Sequence, residues 1–334
     1  MKTRIIILSS SVIVLVALTG CDSSKPKTAT VQSLENLTFG TAHPEDFAAL
    51  IWIAEDQGYF AANGLKIDTK IYDAGVKAAR DLLAGKLDLA TATDFVVARS
   101  ILDRDDLRII CNICEIAGET IKIAARKDYG ITQLSDIRGK RIGLSRGTIA
   151  EFALDLLLVL QNIPIREIEK VDLSPSDQVK AISEGKVDAV IIWEPFYSKI
   201  SRELGANFVS WPVQSIQNYY WFLLGTSEGI KKRPQAIRNF VASLVSAEKF
   251  MKNRMDESKR MIARKLGSNR NESLWSELRF VVGLDDSMGL MIKAEMRWMN
   301  RDLHARDSGV PDILPFIYFD ALNSAQPENI KMVH

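Results

Sequence analysis

Ten residues around Gly85, Asp81-Leu-Leu-Ala-Gly-Lys-Leu-Asp-Leu-Ala90, have a counterpart one hundred positions later in Ala181-Ile-Ser-Glu-Gly-Lys-Val-Asp-Ala-Val190. Each copy reads as a helix end, a glycine stop and a short buried strand. The correspondence extends upstream: Leu37-Thr-Phe-Gly-Thr41 pairs with Arg141-Ile-Gly-Leu-Ser145, and Leu65 to Tyr72 pairs with Ile168 to Leu173. Each unit is therefore strand, helix, strand, helix, strand. Parallel neighbours need crossovers, so this alternation predicts a parallel sheet with helices on both faces, built twice.

The helices carry their own punctuation. Asp46 to Gln57 is apolar at Phe47, Leu50, Ile51 and Ala54 and stops at Gly58. Thr148-Ile-Ala-Glu151 is a capping box opening a helix from Ile149 to Leu160, and Ser174-Pro175 places a cap and a first-turn proline before Val179 and Ile182. Trp52 and Phe60 read as core. After the second unit, Tyr219 to Thr226 reads as a buried strand, and Pro234 to Lys252 and Leu290 to Leu303 as helices. Strands at Ile121 to Ala124 and Tyr219 to Leu224 flank the second unit, so the simplest architecture inserts that unit into the first. The expected division is residues 34–118 for the first part of lobe 1, 119–222 for the inserted lobe 2, and 223–334 for the completion of lobe 1 and the C-terminal helices. Two hinge strands then join two doubly wound α/β lobes.

A length of 334 residues suffices for two such lobes, and 47% hydrophobic with 25% charged side chains is globular composition. A disordered tail, a collagen-like fibre and a disulfide-stapled miniprotein are excluded. With 43 basic against 42 acidic side chains the chain lacks the Lys/Arg surplus that binding to phosphate backbones demands, so no nucleic-acid partner is expected.

The N-terminus addresses the chain. Lys2 and Arg4 precede an apolar run to Leu18 that is too short for a comfortable membrane span. Leu18-Thr-Gly-Cys21 resembles the lipobox of bacterial lipoproteins, which implies a signal peptide over 1–20, lipidation of Cys21 and anchoring on the periplasmic side of the inner membrane. Residues 21–33 are polar and aperiodic, a flexible tether. Beyond Cys21 there are only Cys111 and Cys114, three apart in a β-branched run where they point to opposite faces, and His43, His304 and His334 are scattered. No metal, redox centre or other cofactor is expected.

In open α/β sheets, ligands sit outside the carboxyl ends of the strands. Two lobes facing those ends towards each other make one cleft, lined by Thr41, Ala42 and His43, by Asp73 and Gly75, and by Thr91, Ala92, Thr93 and Asp94. The second lobe supplies Ser145, Arg146, Gly147, Thr148, Ser174, Trp193 and Glu194. Ser145 to Thr148 lies between a strand and a capped helix, where unpaired N–H groups, hydroxyls and a guanidinium make an anion seat. Alternatively, Thr148 only caps its helix and Arg146 points to water. Trp193 stacks on a planar ligand or packs in the core; Glu194 accepts from a ligand amine or pairs with Arg146.

Phe39-Gly-Thr-Ala-His-Pro44, Gly58-Tyr-Phe60, Gly85-Lys-Leu-Asp88, Leu134-Ser-Asp-Ile-Arg-Gly139 and Val187-Asp-Ala-Val-Ile-Ile-Trp-Glu-Pro195 together resemble the nitrate/sulfonate/taurine substrate-binding proteins of ABC importers. That family includes homologues that bind or make the thiamine pyrimidine precursor. The resemblance, over roughly residues 35–330, implies a type II periplasmic-binding-protein-like fold. It also implies capture of a small organic anion or zwitterion without catalysis, a monomer, and delivery to a permease and its ATPase. The family's pocket positions fall on Thr41 to His43, Asp73, Thr91 to Asp94, Ser145 to Thr148, and Trp193 and Glu194. Asp73, Asp94 and Glu194 place three carboxylates near that pocket, which favours a zwitterion or heterocyclic amine over bare nitrate. The alternatives are a binder of a pyrimidine precursor or other heterocycle, a stand-alone sensor lipoprotein, and a precursor-synthase-like enzyme. For the enzyme, the family's cysteine-rich motif has no counterpart.

Overall fold

The structure, a computed structural model, describes residues 33–42, 46–116, 120–213, 218–266, 275–302 and 309–332. Strands β1 (Glu35–Ala42), β2 (Leu65–Tyr72), β3 (Leu89–Thr93) and β4 (Leu107–Ile116) come first. Next come β5 (Lys122–Arg126), β6 (Arg141–Leu144), β7 (Glu169–Asp172), β8 (Ala189–Ile192) and β9 (Phe208–Pro212), and then β10 (Tyr219–Thr226) and β11 (Leu278–Arg279). They form one sheet ordered β2-β1-β3-β10-β4-β11 and another ordered β7-β6-β8-β5-β9. In the first, β2, β1 and β3 are parallel and β10 runs antiparallel between β3 and β4. In the second, β7, β6 and β8 are parallel and β5 runs antiparallel between β8 and β9. The predicted duplication is thus a duplication of topology, and in each sheet the antiparallel strand is the first one entered after the chain changes sheets.

The repeated Gly-Lys-x-Asp has a mechanical explanation. Gly85 and Gly185 both sit at φ +72°, the left-handed conformation that closes a helix. Three residues on, the aspartate clamps the central strand of its unit. Asp88 Oδ2 accepts from the Thr38 N–H and hydroxyl, each at 2.8 Å, and Asp188 Oδ2 accepts from the Arg141 N–H at 2.8 Å.

The expected boundary at 222/223 falls inside β10, which pairs with the first sheet from Tyr219 to Thr226. The return to lobe 1 therefore lies before Tyr219. A strand buried from Tyr219 to Gly225 needs a partner on each side, and β10 finds β3 and β4. The chain passes to the second sheet between Ile116 and Lys122 and returns between Pro212 and Tyr219; Cys21 and the signal and tether segments up to Gln32 lie outside the described residues.

Helices α1 (Ala49–Asp56), α2 (Tyr59–Ala62), α3 (Gly75–Leu83) and α4 (Asp94–Asp103) serve the first sheet. Helices α5 (Ile149–Leu160), α6 (Pro175–Ser183) and α7 (Phe196–Leu204) serve the second. Strand alternation divides the apolar load. In β8, Ala189 and Ile191 join the main core, whereas Val190 and Ile192 face a smaller cluster with Val179, Ile182 and Ile200 of α6 and α7. Each such aliphatic side chain removed from water contributes about 1.5–3 kcal/mol. Trp52 and Phe60 are core, as expected.

Past β10 the chain is helical: α8 (Ser227–Lys232), α9 (Pro234–Asn253), α10 (Met255–Leu266) and α11 (Asp286–Asp302). Phe240 of α9 packs its ring on Phe39 and Phe60, at 5.6 and 4.8 Å, fastening this segment to lobe 1. Trp298 of α11 meets both Phe95 of α4 and Phe152 of α5, at 5.8 and 5.5 Å, so one C-terminal residue touches both lobes.

Candidate functional site

A narrow cleft lies between the two sheets. Lobe 1 lines it with Phe47, Gly75, Val76, Thr93, Tyr219 and Trp221; Thr120, Ile121, Thr148, Ile149 and Trp193 close the other side. These positions follow from the topology. Thr93 ends β3, Gly75 opens α3, Thr148 caps α5, and Trp193 follows β8, so parallel strands point their carboxyl ends at the cavity. Tyr219 and Trp221, two apart on β10, present the same face of that strand.

The lining is aromatic and aliphatic with a few donors. Among the described residues none of those lining it carries a formal charge. Thr93 Oγ1, Thr120 Oγ1 and Trp221 Nε1 are buried without a hydrogen-bond partner, and an unmet buried polar group costs about 1–3 kcal/mol until something satisfies it. Phe47 steadies the Trp221 indole with ring centroids 5.7 Å apart. Gly75 lies flat against the same indole: a β-carbon there would come within 3.2 Å of Trp221 Cη2 and of the Ala92 Cα.

The structure brings Gly75, Thr93, Thr148 and Trp193 into this lining. The other expected residues are engaged elsewhere. Thr41 and Thr91 are buried and bond each other through their hydroxyls at 2.7 Å, and Ala42 and Ala92 are in the core. His43 lies outside the described residues. Asp73 pairs with Lys77 one helical turn on, at 2.7 Å. Ser145 donates to the Leu173 carbonyl and accepts from Gln178. Ser174 caps α6, and Glu194 accepts from the Ser198 N–H and hydroxyl at the start of α7 rather than meeting Arg146.

The expected anion seat is filled from within. Glu151 reaches back to accept from the Gly147 N–H at 3.0 Å, and the Thr148 hydroxyl accepts from Ala150 and donates to the Ser145 carbonyl. The helix start already carries its negative charge, which is what the macrodipole favours. Arg146 is exposed; its backbone N–H donates to Asp172. Its guanidinium is not part of the lining.

Asp94 departs furthest from expectation. It is fully buried outside the cleft lining, accepting from the Phe95 and Tyr220 N–H groups at 2.9 and 3.1 Å. Burial pushes its carboxyl up to about 8. Glu295 of α11 is also fully buried and raised, first by burial and then by the Asp94 charge. The three-carboxylate pocket does not form, because each carboxylate has a local backbone, hydroxyl or ammonium partner that holds it aside.

Phe47, Val76, Ile149, Thr120, Tyr219 and Trp221 escaped the motif reading. Only the aromatic pair at alternate positions of a strand just past a lobe crossing signals such a role. Cys111 and Cys114 are buried thiols in β4 and form no disulfide; the Cys114 thiol lies 3.6 Å from the Glu115 carbonyl, and burial drives the Cys111 thiol far above its usual range. Among the described residues no cluster of three or more His, Cys, Asp or Glu could hold a metal, and no helix is long and apolar enough to cross a membrane.

Comparison with known proteins agrees with this architecture. A Brucella abortus chain named as a binding protein is 24% identical over 204 residues, 59% of this chain and 61% of the relative, so the chain spans about three fifths of that relative's length. A Bacillus subtilis chain named for binding aliphatic sulfonates is 22% identical over 262 residues, 77% of this chain and 76% of its own. The periplasmic aliphatic sulphonate binding protein SsuA of Escherichia coli superposes with a TM-score of 0.65 at 17% identity, covering 86% of this chain and 99% of that one. The desulfurization enzyme DSZB superposes at 0.60 and 17% identity, over 88% and 99%. The fold is that of periplasmic binding proteins. The NMT1/THI5-like family model matches residues 46–258, well over half of the sequence, and the protein belongs to that family.

Proposed function

We propose that the protein is the exported solute-binding component of an ABC importer, lipid-anchored through Cys21 on the periplasmic side of the inner membrane. It captures a small organic molecule between its lobes and hands it to a permease and its ATPase. The observation that carries this is a single cleft walled by both lobes. A ligand that touches both walls favours the closed arrangement, and closure is what a transport partner can sense.

The ligand that suits the walls has an apolar body and an oxygen-rich head. Trp193, Trp221 and Phe47 offer flat apolar surface, while the Thr93 and Thr120 hydroxyls and the Trp221 N–H can donate to sulfonate or carboxylate oxygens. Relatives named for aliphatic sulfonates support the same class. Bare nitrate suits it poorly: with no charged lining residue and no apolar body to bury against the aromatic walls, it would give up its water for little in return. The aromatic walls also favour a second reading, a flat heterocycle such as a thiamine pyrimidine precursor. Capture without catalysis is favoured over a DSZB-like enzyme, because the described lining residues include no Cys, His or carboxylate to act as nucleophile or base.

A thermal-shift series of the chain from Asp22 onward, against nitrate, butane- and benzenesulfonate and hydroxymethyl-aminopyrimidine, tests this. A ligand at one hundred times its Kd adds about 2.7 kcal/mol of stability. The sulfonates should raise the melting temperature and nitrate should not. Stabilisation by the pyrimidine alone would select the heterocycle reading, and silence across the series would remove solute capture as the function.

A further inference from the structure

Ile116 of β4 lines the interlobe cleft; its neighbour Glu115 belongs to the lining of a second cavity, of about 210 Å³. This cavity sits where β12 (Leu284–Asp285) and β13 (Ile330–Lys331) pair beside β11 and the end of α9. Its polar lining is Glu115, Arg279, Lys252, Asp285, Lys331 and Asn329. Nothing in the proposed transport cycle uses it.

Its charges are unevenly matched. Glu115 is 5% exposed; Oε2 accepts from Arg279 Nη1 at 3.0 Å, but Oε1 is buried without a partner. Lys252 is tied to Glu248 at 2.5 Å, and Asp285 is occupied by the Ser287 and Met288 N–H groups at the start of α11. Asn329 donates to the Val282 carbonyl. Lys331, exposed at the rim, makes no ion pair among the described residues. One unmet acceptor is therefore Glu115 Oε1, with Lys331, which stands across the β12–β13 pair from Asp285 and bears on Glu115 without an ion pair, and the mostly exposed Arg279 also in the lining. Burial holds the Glu115 carboxyl above its usual range, a penalty that a cation against Oε1 would relieve.

We propose that this cavity is a second ligand site, separate from the interlobe cleft, for a small zwitterion: its ammonium sits against Glu115 Oε1 and its anionic group against Lys331 and Arg279. A lone anion would leave Oε1 unmet, and a lone cation would leave Lys331 unanswered.

Equilibrium dialysis of the chain from Asp22 onward with taurine as the zwitterionic probe tests it, with ethanesulfonate and ethylammonium as its separated halves. A Trp193→Ala variant, altered in the cleft, should still bind one taurine per chain. Adding Lys331→Ala or Glu115→Gln to it should weaken that binding at least tenfold, and each half-probe should bind at least tenfold more weakly than taurine. Lys331 is exposed, so its variant keeps the test sound should Glu115→Gln disturb folding. Taurine binding that vanishes with Trp193→Ala, or that stays within twofold in the Lys331→Ala chain, overturns the proposal. Ethanesulfonate binding as tightly as taurine would make this a plain anion pocket and overturn it equally.

Discussion

Glu295 is fully buried with neither carboxylate oxygen hydrogen-bonded, and the Asp94 carboxyl bears on it across the contact between α11 and α4. Both groups are raised in the fold, so the native state holds protons that the unfolded chain releases above its ordinary carboxylate range. That contribution to stability is complete below the unfolded value of 3.8 for Asp94 and is lost as pH rises through about 8. Glu295→Gln removes the burdened charge. The variant's advantage should be smallest below the unfolded carboxylate values and grow with pH, until it melts about 2–4 °C higher at pH 9, the shift that about 1 kcal/mol gives in a large domain. Parallel pH profiles in calorimetry would show that the pair does not govern alkaline stability. The β-carbon of Gly75→Ala would sit 3.2 Å from both the Ala92 Cα and Trp221 Cη2, tight enough that the Trp221 indole must shift slightly. Tryptophan emission should shift and ligand affinity fall about tenfold, with the melting temperature changed far less. Single-residue roles were only partly legible. The Thr148 and Ser174 caps and the place of Trp193 follow from local chain geometry. The anion seat fails because Glu151 of the same capping box already accepts from the Gly147 N–H, and Asp94 was misplaced because its burial against Tyr220 and beside Glu295 of a distant helix is a tertiary fact that a motif does not carry.

Elements were far more legible, since each is announced by periodicity and by its own stop. The repeated glycine and aspartate are the clearest case. Replacing Gly85 or Gly185 by alanine forces a side chain into the left-handed region, costing about 1–2 kcal/mol at each. Gly185→Ala should cost the more, because its β-carbon would also displace the Tyr129 hydroxyl, which lies 2.0 Å from that position. Urea titrations of the two variants check both the size and the order; an unchanged midpoint for either would contradict the turn's role. What the elements did not disclose was assignment. Tyr219 to Thr226 reads as a strand from sequence, but its pairing with β3 and β4 is set by the sheet to which the chain returns. The same ambiguity hid Tyr219 and Trp221 from the list of cleft residues.

At the scale of the molecule, the Phe95, Phe152 and Trp298 rings form the one aromatic cluster among the described residues that joins α4, α5 and α11 across the lobes. Ring pairs contribute about 0.5–1.5 kcal/mol beyond their buried area, and Phe152 makes two. Phe152→Ala should therefore weaken the closed arrangement and reduce apparent ligand affinity about tenfold, with a larger radius of gyration in solution scattering of the ligand-free chain. Unchanged affinity and radius would mean the cluster packs without biasing closure. The central claim is that the aromatic, hydroxyl-bearing cleft holds the solute and the exposed Arg146 ahead of α5 does not. It is tested most directly by calorimetric titration of the parent, Trp193→Ala and Arg146→Ala chains with the most stabilising compound of the thermal series. The account predicts at least a tenfold loss for Trp193→Ala, about 1.4 kcal/mol, and a value within twofold of the parent for Arg146→Ala. A tenfold loss for Arg146→Ala with Trp193→Ala unchanged would contradict it and return the ligand to the anion seat.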